Sequence, residues 1–139
     1  MNTYSKLSDE FNKLTEIHTF TSNEFGDPVT ILTTAQEWSI VAKVILNSMF
    51  VSGSKKINTL KAEFILETIA SGSGPSFVVD EIELDPSKVE YEFEVSIGRG
   101  ELREGLYRVV TIITGKYFDS ASSLLAYDES NLIQIYEPN

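Results

Sequence analysis

The sequence contains no cysteine and a single histidine, His18. The absence of cysteine excludes disulfides, thiol catalysis, and zinc or iron–sulfur sites built on cysteine ligands. One histidine leaves little room for histidine-based catalysis. No GxSxG nucleophile elbow occurs, and the Gly98-Arg99-Gly100 segment is not a dinucleotide-binding fingerprint because no helix pattern follows it. We therefore expect a non-enzymatic protein with no catalytic residue, cofactor or bound metal.

Basic residues are also few, with 11 lysines and arginines against 21 acidic residues and a net charge of −10. A polyanion is repelled by nucleic acid and by an anionic bilayer, so we expect neither as a partner. The N-terminus lacks the basic start and apolar run of a secretory signal. No apolar run is long enough to predict a membrane-spanning helix. These features favour a cytoplasmic location.

What is present is the composition of an ordinary globular domain, with 42% hydrophobic and 23% charged residues. A length of 139 residues predicts one domain. Leu7, Phe11 and Leu14 recur at spacings of four and three, which is typical of one helix face. We therefore expect a helical arm over residues 1–14 and a single β-sandwich domain over residues 15–139.

Alternation of apolar and polar residues predicts strands along most of the chain, most clearly over 88–97. The other predicted strands are 15–20, 29–34, 38–51, 58–70, 77–84, 106–117 and 132–137. A helix is the alternative for 58–70, and a polar loop with at most one helical turn is predicted over 118–131. Seven or eight strands separated by turns favour an antiparallel β-sandwich, with a partly open barrel as the alternative.

The apolar positions of these strands predict the core. Strand 38–51 is expected to be central, because one of its faces is wholly apolar and the other is partly so. The predicted core residues are Trp38, Ile40, Val44, Leu60, Phe64, Val89, Tyr91, Phe93, Val95, Tyr107, Val109 and Ile113.

The segment from Gly105 to Val109, GLYRV, resembles the glycine-x-tyrosine start of strand F in immunoglobulin-like and fibronectin-type sandwiches. In those folds the tyrosine hydroxyl bonds to upstream backbone and fixes the corner between two strands. Trp38 is similar to their buried tryptophan. The resemblance covers roughly residues 28–137 as a strand pattern and departs from it in lacking the cysteine pair. It implies an immunoglobulin-like sandwich and carries no function of its own.

Two charged segments are the candidate interaction surface. One is an acidic row on the strand over 88–97, and the other contains all three arginines of the chain. The residues are Glu90, Glu92, Glu94, Arg99, Arg103 and Arg108. The acidic row suits a basic partner or a divalent cation as its ligand. The alternative is that it is a solvated face, which protects the edge of the sheet from pairing with another strand. The arginines suit an anion or a carboxylate as their ligand. The alternative is that they pair with the acidic strand over 88–97, if they and that strand are adjacent in the sheet.

Two further ligands are alternatives. Calcium would need clustered loop acids; the acids concerned are Asp27, Asp85, Asp119, Asp128 and Glu129. A sugar would stack on exposed aromatic rings. The alternative is that these rings are buried and cap the core. The rings are those of Tyr117, Phe118, Tyr127 and Tyr136.

The function that we predict is a non-catalytic protein–protein interaction or assembly module. Its partner would be another protein or a second copy, giving a homo-oligomer that associates through an edge strand or the arm. A calcium- or carbohydrate-binding module is the alternative. A carboxylate-based hydrolase is the least favoured, because nothing in the sequence singles out a carboxylate pair.

Overall fold

The computed structural model describes residues 15–51, 57–69, 74–116 and 122–138. Within them it contains nine strands and one short helix. The strands are β1 (Thr15–Ser22), β2 (Ile31–Thr33), β3 (Trp38–Leu46), β4 (Thr59–Thr68), β5 (Ser76–Glu83), β6 (Glu90–Ile97), β7 (Gly105–Lys116), β8 (Ser122–Glu129) and β9 (Ile133–Tyr136), and the helix is α1 (Ser48–Val51). The helical arm predicted over residues 1–14 lies outside the described residues.

The strands form two sheets that pack as a sandwich. The three-stranded sheet has the order β1-β3-β6 and is antiparallel throughout. The six-stranded sheet has the order β2-β9-β7-β4-β5, and β8 also pairs with β7. Its pairs are antiparallel except for β2 and β9, which run parallel. The predicted all-β sandwich is confirmed, and β3 is the central strand of its sheet as expected.

The core lies between the sheets, where the two-residue period of each strand directs one row of side chains inward. Ten of the twelve predicted core residues are buried, and Val95 is partly buried against them. The prediction is wrong for Val89, which is 38% exposed. Val89 lies just before β6, which begins at Glu90, and although its carbonyl oxygen accepts a hydrogen bond from the backbone N–H of Leu46 at 2.9 Å, its side chain lies at the margin of the sheet.

The loop predicted over 118–131 is wrong where β8 occupies Ser122–Glu129. The pairing of β7 and β8 shifts register between Ile113 and Thr114, as at a β-bulge. Leu125 and Ala126 are both buried, although they are neighbours in the sequence. The bulge thus breaks the strict alternation from which strands are recognised in a sequence.

The strand predicted over 38–51 is shorter than expected. It ends at Leu46, and α1 follows after Asn47. The side-chain oxygen of Asn47 accepts a hydrogen bond from the backbone N–H of Met49 at 3.0 Å. Asparagine is a preferred residue immediately before a helix because it satisfies such an N–H group, and this contact explains the change of structure.

The hydrogen bond that the resemblance implies for Tyr107 is present. Its hydroxyl donates to the backbone carbonyl oxygen of Arg103 at 2.7 Å, four residues upstream. Trp38 is 3% exposed at the start of β3. A second tyrosine is used in the same way, because the Tyr91 hydroxyl donates to the carbonyl oxygen of Lys88 at 2.9 Å in the turn between β5 and β6.

Candidate functional site

Most of the exposed large hydrophobic residues lie on one surface, the outer face of the six-stranded sheet. Ten such residues are exposed in the described part of the chain, and seven belong to this face. They are Ile31, Ile69, Leu106, Leu124, Tyr127, Leu132 and Tyr136, and we call this surface the apolar face. Clusters of exposed apolar side chains of this size mark interaction sites more often than ordinary surface.

The apolar face follows from the register of the central strands. On β7 the residues that alternate with the buried ones point outward, and they include Leu106, Val110 and Ile112. Ile65 on β4 lies opposite Val110, and Tyr127 on β8 lies opposite Ile112. Ile65 with Val110 and Ile112 with Tyr127 are therefore apolar cross-strand pairs, and a glutamate completes each row, Glu129 beside Val110 and Glu63 beside Ile112.

The charges on this face balance. The central strands β4, β7 and β8 direct three basic and three acidic residues outward. These are Lys61, Arg108, Lys116, Glu63, Glu67 and Glu129. Arg108 lies directly opposite Glu67 and forms an ion pair with Glu129 at 3.7 Å. At the margin, β5 adds two exposed acidic residues, Glu81 and Glu83, of which Glu83 lies opposite Thr59. The middle of the face is thus electrically neutral on a chain of net charge −10.

The structure does not bring the six predicted interaction residues together. The three glutamates point outward from β6 in the three-stranded sheet and are exposed. Arg99 and Arg103 are exposed in the connection between β6 and β7, whereas Arg108 lies on β7 in the other sheet. The expectation that the arginines pair with the strand over 88–97 is wrong for Arg108, since β6 and β7 belong to different sheets. The binding roles of these residues stay a prediction.

The exposed tyrosines lie far apart. Tyr127 is 56% and Tyr136 is 44% exposed, so the expectation that they cap the core is wrong. The register along β7 sets their separation: Tyr127 lies opposite Ile112 and Ile135 lies opposite Gly105, which is about 23 Å away at roughly 3.3 Å per residue, and Tyr136 lies beyond it. One sugar ring cannot contact both. Tyr117 and Phe118 lie outside the described residues.

The acids considered for calcium are dispersed. No group of three or more histidine or acidic side chains in the described residues has an arrangement that could hold a metal ion. Asp85 is engaged locally, because the backbone N–H and the hydroxyl of Ser87 both donate to its carboxylate, at 2.9 and 2.7 Å. These hydrogen bonds lower the pKa of Asp85. Asp128 accepts a hydrogen bond from the backbone N–H of Thr19, and Asp119 lies outside the described residues.

Comparison with known proteins identifies a fold and no family. No protein-family profile matches the chain, and no curated protein matches its sequence. The chain is similar in structure to the C-terminal domain of Wzt, with a TM-score of 0.68 over 87% of this chain and 72% of that one. The two sequences are 13% identical. At that identity the likeness establishes the β-rich fold alone. Within the described residues, no helix has the length and apolarity needed to cross a membrane.

The sequence analysis missed the apolar face. Its signal is the presence of apolar residues on both faces of the same strand, as in β7, where Val110 and Ile112 alternate with the buried Val109 and Ile113. The same sequence pattern is equally typical of a central strand that is buried on both faces. Only the topology shows that no further layer covers the outer side of β7 in the described part of the chain.

Proposed function

We propose that this domain is a non-catalytic assembly module that pairs with a second copy of itself through the apolar face. The supporting observation is the concentration of seven exposed large hydrophobic residues on that face. Burying apolar side chains is the main source of free energy in protein association, at about 25 cal/mol per Å². The lining, in which aliphatic side chains stand among balanced charges, suits a protein surface better than it suits a sugar, for which widely spaced tyrosines offer no platform.

The charge distribution favours a second copy as the partner. Two chains of net charge −10 repel each other, and repulsion is least where the contact surface is neutral. The middle of the apolar face carries three charges of each sign, so two copies can meet there without placing an excess of like charge in the interface. A strongly basic partner would instead be drawn to acidic surfaces such as the glutamate row of β6.

The size of the face is close to that of a standard dimer interface. With strands about 4.8 Å apart and residues about 3.3 Å apart, four strands of this length cover roughly 20 by 30 Å. That projected area, about 600 Å², approaches the ~800 Å² that each partner contributes to an interface of standard size. Because both copies would use the same patch, the contact is symmetric and closes at two chains.

Two finer assignments accompany this proposal. The hydrogen bond from Tyr107 to Arg103 and the buried Trp38 support an immunoglobulin-like form of the sandwich. The cytoplasmic location stays a prediction from the sequence. No specific observation favours the calcium, carbohydrate or hydrolase alternatives over the assembly module.

A pair of matched variants tests the proposal. Leu106→Lys combined with Tyr127→Lys places two charges on the apolar face at positions that are 47% and 56% exposed, so the fold should tolerate both. Ile45→Lys is the control, because Ile45 is 42% exposed on the other sheet. We expect light scattering after size exclusion to give a monomer for the double variant and a dimer for the control. Equal masses for the two proteins would contradict the assignment of the face.

A further inference from the structure

Strand β4 carries two charges on the apolar face that form no ion pair among the described residues. Lys61 and Glu67 alternate with the buried residues of this strand and are half-buried. Arg108 forms its ion pair with Glu129 and not with Glu67, which lies directly opposite it. An unpaired charge is costly to bury, so a partner that covers this face has to supply both residues with an opposite charge.

The two charges are placed symmetrically about the middle of the strand. Lys61 lies three residues before Phe64, and Glu67 lies three residues after it. Phe64 pairs with Thr111, which is likewise the midpoint of the outward row of β7 over 106–116. The two central strands of the apolar face therefore share one midpoint.

A second copy that lies face to face and antiparallel covers the largest area when these midpoints coincide. The twofold axis then crosses the strands at that level, and each outward residue lies opposite the one equally far beyond the midpoint. Lys61 of one copy lies opposite Glu67 of the other, and the symmetry forms this contact twice. In the same register Val110 lies opposite Ile112 of the second copy, so that apolar side chains cover each other.

A twofold axis that runs along one of the central strands opposes like charges. Along β4 it places Lys61 opposite Lys61 of the second copy and Glu67 opposite Glu67. Along β7 it does the same with Arg108. Like charges repel, so neither arrangement suits this face.

An axis that runs between β4 and β7 satisfies one of the two charges. It places Glu67 opposite Arg108 of the second copy but leaves Lys61 opposite Thr114, which carries no charge. Glu63 faces an apolar side chain both here and in the antiparallel arrangement, so it does not distinguish them. Of the arrangements compared, the antiparallel one pairs both charges of β4.

We propose that Lys61 and Glu67 select a second copy as the partner and hold the two apolar faces antiparallel. This inference rests on the proposed assembly function and adds to it the contact that orients the two copies. Charged pairs across an interface fix its register and exclude wrong partners, because like charges brought together repel strongly. An apolar surface without the matching pattern would leave both charges of β4 unpaired.

Reversal of the two charges tests the pairing. Lys61→Glu should weaken the dimer at least about tenfold, because it places acidic residues opposite each other in both contacts. Glu67→Lys should do the same with basic residues. The combined variant Lys61→Glu/Glu67→Lys restores opposite charges, so its dissociation constant should return to within about threefold of that of the unsubstituted chain. Sedimentation equilibrium near physiological salt measures these constants.

Matched controls reverse the same charges on the other sheet. Lys43 and Glu92 are exposed and lie opposite each other on β3 and β6. Lys43→Glu and Glu92→Lys change the net charge of the chain as the two test variants do, and they should leave the dissociation constant unchanged. Urea denaturation of every variant shows whether it is folded under the conditions of the measurement.

A mixture of the two single variants gives a test that does not require either of them to form a dimer alone. One chain then has acidic residues at positions 61 and 67, and the other has basic residues at both. With one chain isotope-labelled, native mass spectrometry should show mostly heterodimers. The mixture of Lys43→Glu with Glu92→Lys should instead give the statistical proportion of heterodimers.

The possible failures are distinguishable. A monomeric unsubstituted chain would overturn the proposed function and this inference with it. A dimer whose dissociation constant no charge reversal changes would overturn the pairing alone, since Leu106→Lys combined with Tyr127→Lys tests the face separately. Weakening by Glu67→Lys but not by Lys61→Glu would contradict the antiparallel arrangement and indicate an axis between β4 and β7. A statistical mixture of the two test variants would also contradict the pairing.

Discussion

The hydroxyl of Thr19 donates a hydrogen bond to the hydroxyl of Thr111 at 2.8 Å, joining two residues that lie 92 positions apart on different sheets. The backbone N–H of Thr19 also donates to a carboxylate oxygen of Asp128 at 3.0 Å. Strand β1 is thus tied to β7 and β8 by directed contacts as well as by packing. The hydroxyls of Thr19 and Thr111 are thus buried and paired, whereas the hydroxyl of Thr15 at the start of β1 is buried without a hydrogen-bond partner in the described residues.

We predict that Thr111→Val destabilises the fold. The substitution keeps the shape of the side chain but removes the acceptor of the Thr19 hydroxyl, which is buried, and an unpaired buried donor costs about 1–3 kcal/mol. Urea denaturation measures the free energy of unfolding. Thr114→Val is the control, since Thr114 is half-buried on the outer side of the same strand. A control variant that loses as much stability would show that this hydrogen bond is unimportant.

Tyr107→Phe should reduce the free energy of unfolding by about 1 kcal/mol, the usual net value of an intramolecular hydrogen bond. The lost contact is the one that joins the hydroxyl to the carbonyl oxygen of Arg103. Tyr136→Phe, on the exposed apolar face, is the matched control and should change little. The prediction fails if the two variants unfold at the same urea concentration.

The stability that Tyr107 contributes should depend on pH in the alkaline range. Burial raises the pKa of Tyr107 above its ordinary value of 10.0, although the nearby charge of Arg103 lowers it somewhat. The folded state therefore holds the phenolic proton more tightly than the unfolded state does. Its contribution is fully present below pH 10 and is lost as the pH rises through the raised folded-state pKa.

Urea denaturation at several pH values from about 8 to about 11, on either side of the ordinary tyrosine pKa near 10, measures this effect. The difference in free energy of unfolding between the wild type and Tyr107→Phe should shrink as the pH passes 10. A difference that stays constant over this range would show that the phenolic proton is held equally in both states.

Much of the fold could be predicted from the sequence because its strands alternate strictly. β6, with Tyr91 and Phe93 inward, has only one register that buries its apolar residues. β8 was missed because its bulge buries Leu125 and Ala126 in succession. The candidate site was harder to predict, since the outward Val110 and Ile112 become significant only when the described part of the chain is known to place no layer over this side of the sheet.

Ionic strength distinguishes the two candidate interaction surfaces. A dimer formed through the neutral apolar face still brings two chains of net charge −10 together, so salt should screen the remaining repulsion and strengthen association. A contact between the arginines of one chain and the glutamate row of another would weaken with salt. Sedimentation equilibrium between about 0.01 M and about 0.15 M salt, where the Debye length falls from about 30 to about 8 Å, measures the dissociation constant. A dissociation constant that rises with salt would contradict the apolar face.

The mass of the unmodified chain in solution tests the central claim most directly. Light scattering after size exclusion, near physiological salt, measures it without reference to shape. Self-association through the apolar face predicts a dimer of twice the 15.5 kDa chain mass. A single species of 15.5 kDa at every concentration loaded would contradict the account, because the apolar face would then remain uncovered by a second copy.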